Sequence, residues 1–184
     1  IGKTDDLTQL SGFQEGAFVI QDISSMLAVE ALGLPKMDNQ GTLKILDICA
    51  APGGKSMLAA DILNHADIDY MLEARDISEY KVELMQENFN RCHLNKAKAV
   101  AWDPDERWLG QADVVIADIP CSGLGVIGRK RDIKYKMTPQ AVQDIVELQE
   151  KILKVAASYV KKGGKLLFST CTVNKDENEA HVKW

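Results

Sequence analysis

Two cysteines follow runs of small and β-branched apolar residues that read as buried strands. In Asp118-Ile-Pro-Cys-Ser-Gly-Leu-Gly125 a carboxylate and the Cys121 thiol, three positions on, sit at the end of one run. In Ser169-Thr-Cys-Thr-Val-Asn174 the Cys171 thiol sits at the end of another. A thiolate is a nucleophile, and a neighbouring thiol or carboxyl group can hold or pass a proton. One cysteine at a strand end is more often a small buried hydrophobe. Two at separate strand ends, with an aspartate, are a less accidental set. Asn174 and Glu177 have the spacing of a helix-start box in its looser Asn form. A helix starting just past Cys171 would favour its thiolate. Cys49 is expected to serve close packing, and Cys92, at a helix end, to be structural.

The other strand ends carry binding groups. Asp47-Ile-Cys-Ala-Ala-Pro-Gly-Gly-Lys-Ser56 is a tight, small-residue passage from strand to helix. It lets a ligand approach the backbone closely, and free N–H groups at the helix start favour negative charge. A plain strand–helix turn is the bland alternative. A P-loop is the sharper rival. Gly54-Lys55-Ser56 matches its end and the run before Asp118 resembles an acidic magnesium partner, but Cys49 stands where the first glycine belongs. Asp76 follows the second strand, where a carboxylate can accept two hydrogen bonds from a ribose. It could also simply cap a helix before Ser78, and Glu73, inside the strand, is a rival acid. Asp103 follows the third strand, in an Asp-Pro pair that alone reads as a turn. Residues 129–136 hold five basic side chains and one acid. Such runs are usually solvated loops. This one leaves the Cys121 loop, so Arg129, Lys130, Arg131 and Lys134 are candidates for phosphate-backbone contact.

Positioning these groups requires strands and helices in alternation. Apolar runs predict strands over residues 43–48, 70–74, 97–101, 113–117 and 165–169. Periodicity predicts helices over 23–32, 55–63, 78–90 and 139–160. Asp22 should cap the first of these, with Leu27, Ala28, Ala31 and Leu32 on one face. Pro139 should open the last, whose apolar stripe is Val142, Ile145, Val146, Leu148, Ile152, Leu153, Ala156 and Val160. The KKGG run at 161–164 should close it. Alternation of this kind argues for an α/β fold, a parallel sheet with helices on both faces. Ligands then sit beyond the carboxyl ends of the strands, where the candidate residues lie.

Composition bounds the rest. A chain of 184 residues suits one domain. Its net charge of −5 disfavours a non-specific nucleic-acid coat, although a focused basic patch is allowed. No apolar run approaches a membrane span, and the first residues lack a signal-peptide core. Four cysteines without CxxC spacing predict reduced thiols in a cytoplasmic protein, with neither a disulfide scaffold nor a metal site.

These motifs, together with Gly16-Ala-Phe-Val-Ile-Gln-Asp-Ile-Ser-Ser25, resemble the RNA cytosine-C5 methyltransferases of the Nop/Sun type. The likeness runs from Gly12 to the end of the chain. Gly125-Val-Ile-Gly-Arg-Lys-Arg-Asp-Ile-Lys134 is most similar to the bacterial small-subunit rRNA members. The resemblance implies a Rossmann-like class I methyltransferase fold using S-adenosylmethionine. Cys49, Ala50, Ala51, Pro52, Gly53, Gly54 and Lys55 would cradle the methionine portion. Asp76 would hold the ribose and Asp103 the adenine amino group. Asp118 would serve both cofactor and base, contacting the N3/N4 edge of cytosine. Cys171 would be the nucleophile toward C6, and Cys121 would assist release. In the DNA version of this reaction the cysteine after proline is the nucleophile, so a cysteine in both places points to RNA. The family has about two more strands and an N-terminal RNA-binding domain. Residues 1–184 are therefore expected to be a catalytic-domain fragment, with rRNA as partner and no obligate protein partner. Arg75 stands where the family usually has a hydrophobic residue.

Overall fold

The computed structural model describes residues 6–37 and 41–184. Five strands form one sheet in the order β3-β2-β1-β4-β5, and every neighbouring pair is parallel. They are β1 Leu43–Asp47, β2 Tyr70–Asp76, β3 Ala97–Ala101, β4 Ala112–Asp118 and β5 Val160–Ser169. The helices are α1 Ser11–Gln14, α2 Ile23–Glu30, α3 Gly54–His65, α4 Glu79–Arg91, α5 Ile133–Lys136, α6 Pro139–Tyr159 and α7 Glu179–Lys183. The expected α/β alternation is present, and each predicted strand lies within two residues of an observed one except at the start of β5. There Val160 pairs with Ala112 and Lys165 with Val114, so residues 161–164 bulge out between two registered stretches. The order reverses between β1 and β4, opening a crevice at their carboxyl ends.

Side chains alternate across the pleat. From β1, Leu43 and Ile45 enter one core with Leu63 of α3 and Met85 and Phe89 of α4. Leu46 enters the other, with Val115 and Ala117 of β4 and Leu153, Ala156 and Tyr159 of α6. All of β4 is buried except Asp118, so a central strand buried on both faces ends on a partly exposed carboxylate.

Two helix faces differ from expectation. Asp22 does cap α2, accepting from the Ser24 N–H at 3.0 Å. However, Leu27 is 59% exposed and Val29 is the buried residue of the helix. Only Leu32 of the expected face is fully buried. The helix packs against α3 and β5 at the sheet's side, so a different arc turns inward. In α6 the buried side chains include Gln149 and Tyr159, and Leu148 is half-exposed because it faces the crevice.

Candidate active site

The carboxyl ends of β1, β4 and β5 bring together residues spread over more than 120 positions. Asp118 closes β4. Its Oδ2 lies 2.5 Å from Lys55 Nζ, and its Oδ1 accepts from the Ser169 hydroxyl at 2.7 Å. The Cys121 and Cys171 sulfurs are 3.0 Å apart, and the Cys171 N–H donates to Cys121 Sγ at 3.2 Å. The Gly125 N–H donates to the Cys171 carbonyl at 3.1 Å, and a Cβ on Gly125 would meet that oxygen at 2.8 Å. Cys171 is exposed and Cys121 half-buried. Burial, and then the hydrogen bond to Cys171, pushes the Cys121 thiol up to about 12. Cys121 therefore holds its proton at neutral pH.

The helix-start box does not form. The helix after Cys171 begins at Glu179 and has five residues. Asn174 Oδ1 accepts from the Asp176 N–H at 3.1 Å, but Glu177 turns inward to Ser122 instead of back toward a helix N-terminus. The carboxylate finds more donors inside the fold than a first turn would offer, so no adjacent helix dipole acts on Cys171.

After β1, Gly53 takes a left-handed conformation (φ +96°), and a Cβ there would meet the Phe89 ring at 3.1 Å. Gly54 opens α3 with the Gln21 side chain 3.4 Å from its would-be Cβ. The Ser56 hydroxyl donates to Asp47 at 2.7 Å and is fully buried. Its proton is committed to Asp47 and the side chain is closed off from solvent, unlike the magnesium-binding hydroxyl a P-loop requires. Burial pushes the Asp47 carboxyl up to about 7, against the Ser56 hydrogen bond and with help from the Asp118 charge. Asp47 Oδ1 and Gln21 Nε2 are both buried without a protein partner. Both side chains line a small pocket bounded by the glycine loop, Lys55 and Asp118.

That pocket adjoins two larger ones. A mainly apolar cleft of about 580 Å³ runs past Cys49, Asp76, Trp102, Ile119 and Ile152 to Asp118, Cys121 and Cys171. A more open pocket of about 760 Å³ is bounded by Lys55, Asp118, Gly125, Phe168 and Cys171. Asp118 and Cys171 border both. At the cleft's far end Asp76 accepts from the Ser78 N–H at 3.3 Å and from Lys81 Nζ at 3.4 Å. It is at once a local cap and a carboxylate at the cleft. Asp103 does not line the cleft. Its side chain is exposed and its carbonyl accepts from Arg75 at 2.8 Å. Trp102 lines the wall instead. Arg75 is 2% exposed and also ion-pairs with Glu73 and Asp105. The guanidinium thus ties the β2 and β3 ends together, and the rival acid Glu73 is spent on it. Cys49 lies on the cleft wall, and burial pushes its thiol up to about 12. Cys92 caps the end of α4 and packs on Met57.

The basic run is exposed beside the open pocket. Arg129 pairs with Asp22 at 2.7 Å and Lys136 with Asp132 at 2.8 Å, while Lys134 lies over the Tyr135 ring. Lys130 and Arg131 are exposed. Among the described residues, no helix is long and apolar enough to cross a membrane, and no cluster of three or more His, Cys, Asp or Glu is placed to hold a metal. Sequence reasoning gave no role to Gln21, Trp102 or Gln149, noted Arg75 only as a departure from the family pattern, and read Glu177 as a helix-start residue. Gln149 carried a signal, as a polar residue within the apolar stripe of α6.

The sheet order and the crevice are those of the class I methyltransferase fold. A Listeria monocytogenes structure of that class superposes with a TM-score of 0.55 at 15% identity, covering 82% of this chain and 47% of its own. The likeness establishes the fold. The profile of the 16S rRNA methyltransferase RsmB/F family matches residues 34–184, and the chain belongs to that family. It is 40% identical over 173 residues to the probable ribosomal RNA small subunit methyltransferase B of Bacillus subtilis, covering 91% of this chain and 36% of the relative. The Synechocystis protein of the same description is 35% identical over 188 residues, with coverage of 99% and 40%. NSun6 from Pyrococcus horikoshii, solved with SFG, an S-adenosylmethionine analogue, superposes with a TM-score of 0.79 at 28% identity. That match covers 97% of this chain and 44% of NSun6. The chain thus spans about two fifths of the length of the curated relatives it matches.

Proposed function

We propose that residues 1–184 form the catalytic core of an S-adenosylmethionine-dependent methyltransferase acting on C5 of a cytidine in RNA, of the small ribosomal subunit. The observation that carries this reading is the pair of thiols 3.0 Å apart at the ends of β4 and β5, where the apolar cleft meets the open pocket. The residues present suit the cofactor. Gly54 opens α3 at the edge of the small pocket with no side chain over its backbone, Asp76 offers a carboxylate at the cleft end, and the orphaned Asp47 and Gln21 groups offer an acceptor and a donor. When bound, S-adenosylmethionine supplies a methyl group made electrophilic by its sulfonium.

Cytosine C5 is a poor nucleophile. Addition of the Cys171 thiolate at C6 would give C5 enamine character. Asp118 faces both pockets and would meet the N3/N4 edge of the base. The 2.5 Å contact with Lys55 provides a proton to share as the ring gains charge. Release would require a base to take the C5 proton while the electron pair of that bond expels the Cys171 thiolate, and Cys121, 3.0 Å from the departing sulfur, is the neighbouring group that would assist. The base must leave its stack to reach the pocket, and the exposed side chains of Lys130, Arg131 and Lys134, a few residues on from Gly125 and Val126 of the open pocket, would hold phosphates.

Calorimetric titration with S-adenosylmethionine, S-adenosylhomocysteine and ATP–magnesium tests the cofactor. Binding of the first two and not of ATP is the expected result. RNA containing 5-fluorocytidine tests the chemistry, because fluorine cannot leave C5 as a proton. A denaturation-resistant protein–RNA band supports the reading. A band on 5-fluorouridine RNA alone would move the substrate to uridine.

A further inference from the structure

A buried polar cluster behind the two cysteines grips the residues that flank them. Glu177 is fully buried. Its Oε2 accepts from the Ser122 N–H at 2.8 Å and from Gln149 Nε2 at 3.1 Å. Its Oε1 accepts from the Ser122 hydroxyl at 2.5 Å and from Asn174 Nδ2 at 3.1 Å. Gln149, also fully buried, donates its amide to the Pro120 carbonyl at 2.8 Å as well. With both Gln149 protons committed, its Oε1 accepts from His181 Nε2 at 2.8 Å. Pro120 and Ser122 are the two neighbours of Cys121. The Ser122 hydroxyl also meets the hydroxyl of Thr172, the neighbour of Cys171, at 2.8 Å. Three separate segments, the β4 loop, α6 and the chain after β5, are therefore joined around one carboxylate.

Every partner of Glu177 is a neutral donor, so the group must be acceptor-only. Burial alone would raise its pKa, but the hydrogen bonds from Ser122, Asn174 and Gln149 outweigh it and leave the carboxyl below its ordinary value. A buried carboxylate is a costly way to fill space, since well-packed apolar residues are often as stabilising. Its partners instead suggest a geometric task.

We propose that Glu177, oriented by Gln149, is a positioning residue that sets the spacing and alignment of the Cys121 and Cys171 thiols. The assignment rests on reading those thiols as the reacting pair, but their spacing can be measured without RNA. Glu177→Gln keeps the shape and turns an NH2 group toward one of two sets of donors. Glu177→Asp keeps the acceptors on a shorter stem.

The measurement is the rate at which dibromobimane bridges Cys121 to Cys171 in the 184-residue chain, read by peptide mass mapping. Cooperative thermal unfolding serves as the check on folding. Glu177→Gln should slow bridging by about tenfold, the scale of one lost charge-assisted hydrogen bond, with partial recovery in Glu177→Asp. Unchanged bridging in a folded Glu177→Gln chain overturns the proposal. If that variant does not unfold cooperatively, Ser122→Ala decides: slowed bridging supports the clamp and an unaltered rate overturns it. The same variants are then trapped on 5-fluorocytidine RNA. Slowed bridging, with no RNA adduct even in the unsubstituted chain, supports the positioning role and counts against the RNA reading alone.

Discussion

Cys121 and Cys171 are the same side chain placed in different surroundings. Cys171 is exposed at the open pocket, whereas Cys121 is half-buried and its thiol is pushed up to about 12. On the proposed reading the exposed thiol is the nucleophile and the half-buried one holds a proton. Cys171→Ser should abolish methyl transfer, while Cys121→Ser should accumulate a covalent RNA adduct visible on a denaturing gel. An adduct with Cys171→Ser and none with Cys121→Ser would reverse the roles. Asp47 gives a second test at this scale. Its carboxyl is raised by burial from 3.8 to about 7. The folded chain therefore keeps this proton when the unfolded chain has lost it. Asp47 contributes less stability as pH rises from about 4 to about 7, and the contribution is level above that. Urea unfolding of the wild type and Asp47→Asn across this range should show the difference between them moving against the wild type. A constant difference would mean that Asp47 is charged throughout.

Loops, more than helices, hold the reacting groups. The β4 loop and the segment after β5 touch where the Gly125 N–H meets the Cys171 carbonyl, with no room for a side chain. Gly125→Ala should force these segments apart at a cost of roughly 1–3 kcal/mol, the range for overpacking a close contact. Covalent trapping on 5-fluorocytidine RNA should slow by roughly five- to 150-fold on that scale, with a smaller loss of S-adenosylhomocysteine affinity, since Gly125 borders the open pocket and not the small pocket at the glycine loop. Equal losses in trapping and affinity would instead point to a general collapse of the crevice. The absence of a helix immediately after Cys171 matters here too. The residue expected to begin that helix, Glu177, instead joins the loops together.

Across the whole molecule, the core and the site share atoms. Phe89 is fully buried between sheet and α4, and its ring lies against Gly53 of the β1 loop. Phe89→Ala should cost about 3–5 kcal/mol of stability through the cavity it leaves. It should also weaken S-adenosylhomocysteine binding, because the ring supports the turn that presents the loop's backbone. Denaturant unfolding and calorimetry on the same preparation check both. A destabilised chain with unaltered affinity would separate the loop from its core support. At the same carboxyl edge of the sheet, Arg75 and its carboxylate partners tie the ends of β2 and β3 together with charge instead of apolar packing. The buried guanidinium is tolerated because Glu73, Asp105 and the Asp103 carbonyl satisfy it.

Much of this was legible in the residues themselves. Strands buried on both faces must be short apolar runs, and helices covering them must repeat every three to four residues. The element order and the class of sheet therefore followed from pattern. Asp118, Cys121 and Cys171 stood out because strand ends in such sheets are where ligands sit. Tertiary structure decided what depends on contacts between distant segments. It turned Glu177 from an expected helix-start residue into a buried acceptor, because Ser122 and Gln149 lie 55 and 28 positions away and only the fold brings their donors together. It left the Asp103 side chain exposed and put Trp102 on the cleft wall, since alternation at a strand end determines which neighbour faces inward. It also rotated α2 so that Val29 is buried and Leu27 exposed. The arc of a short helix that meets the core depends on its neighbours, α3 and β5, as much as on its own period.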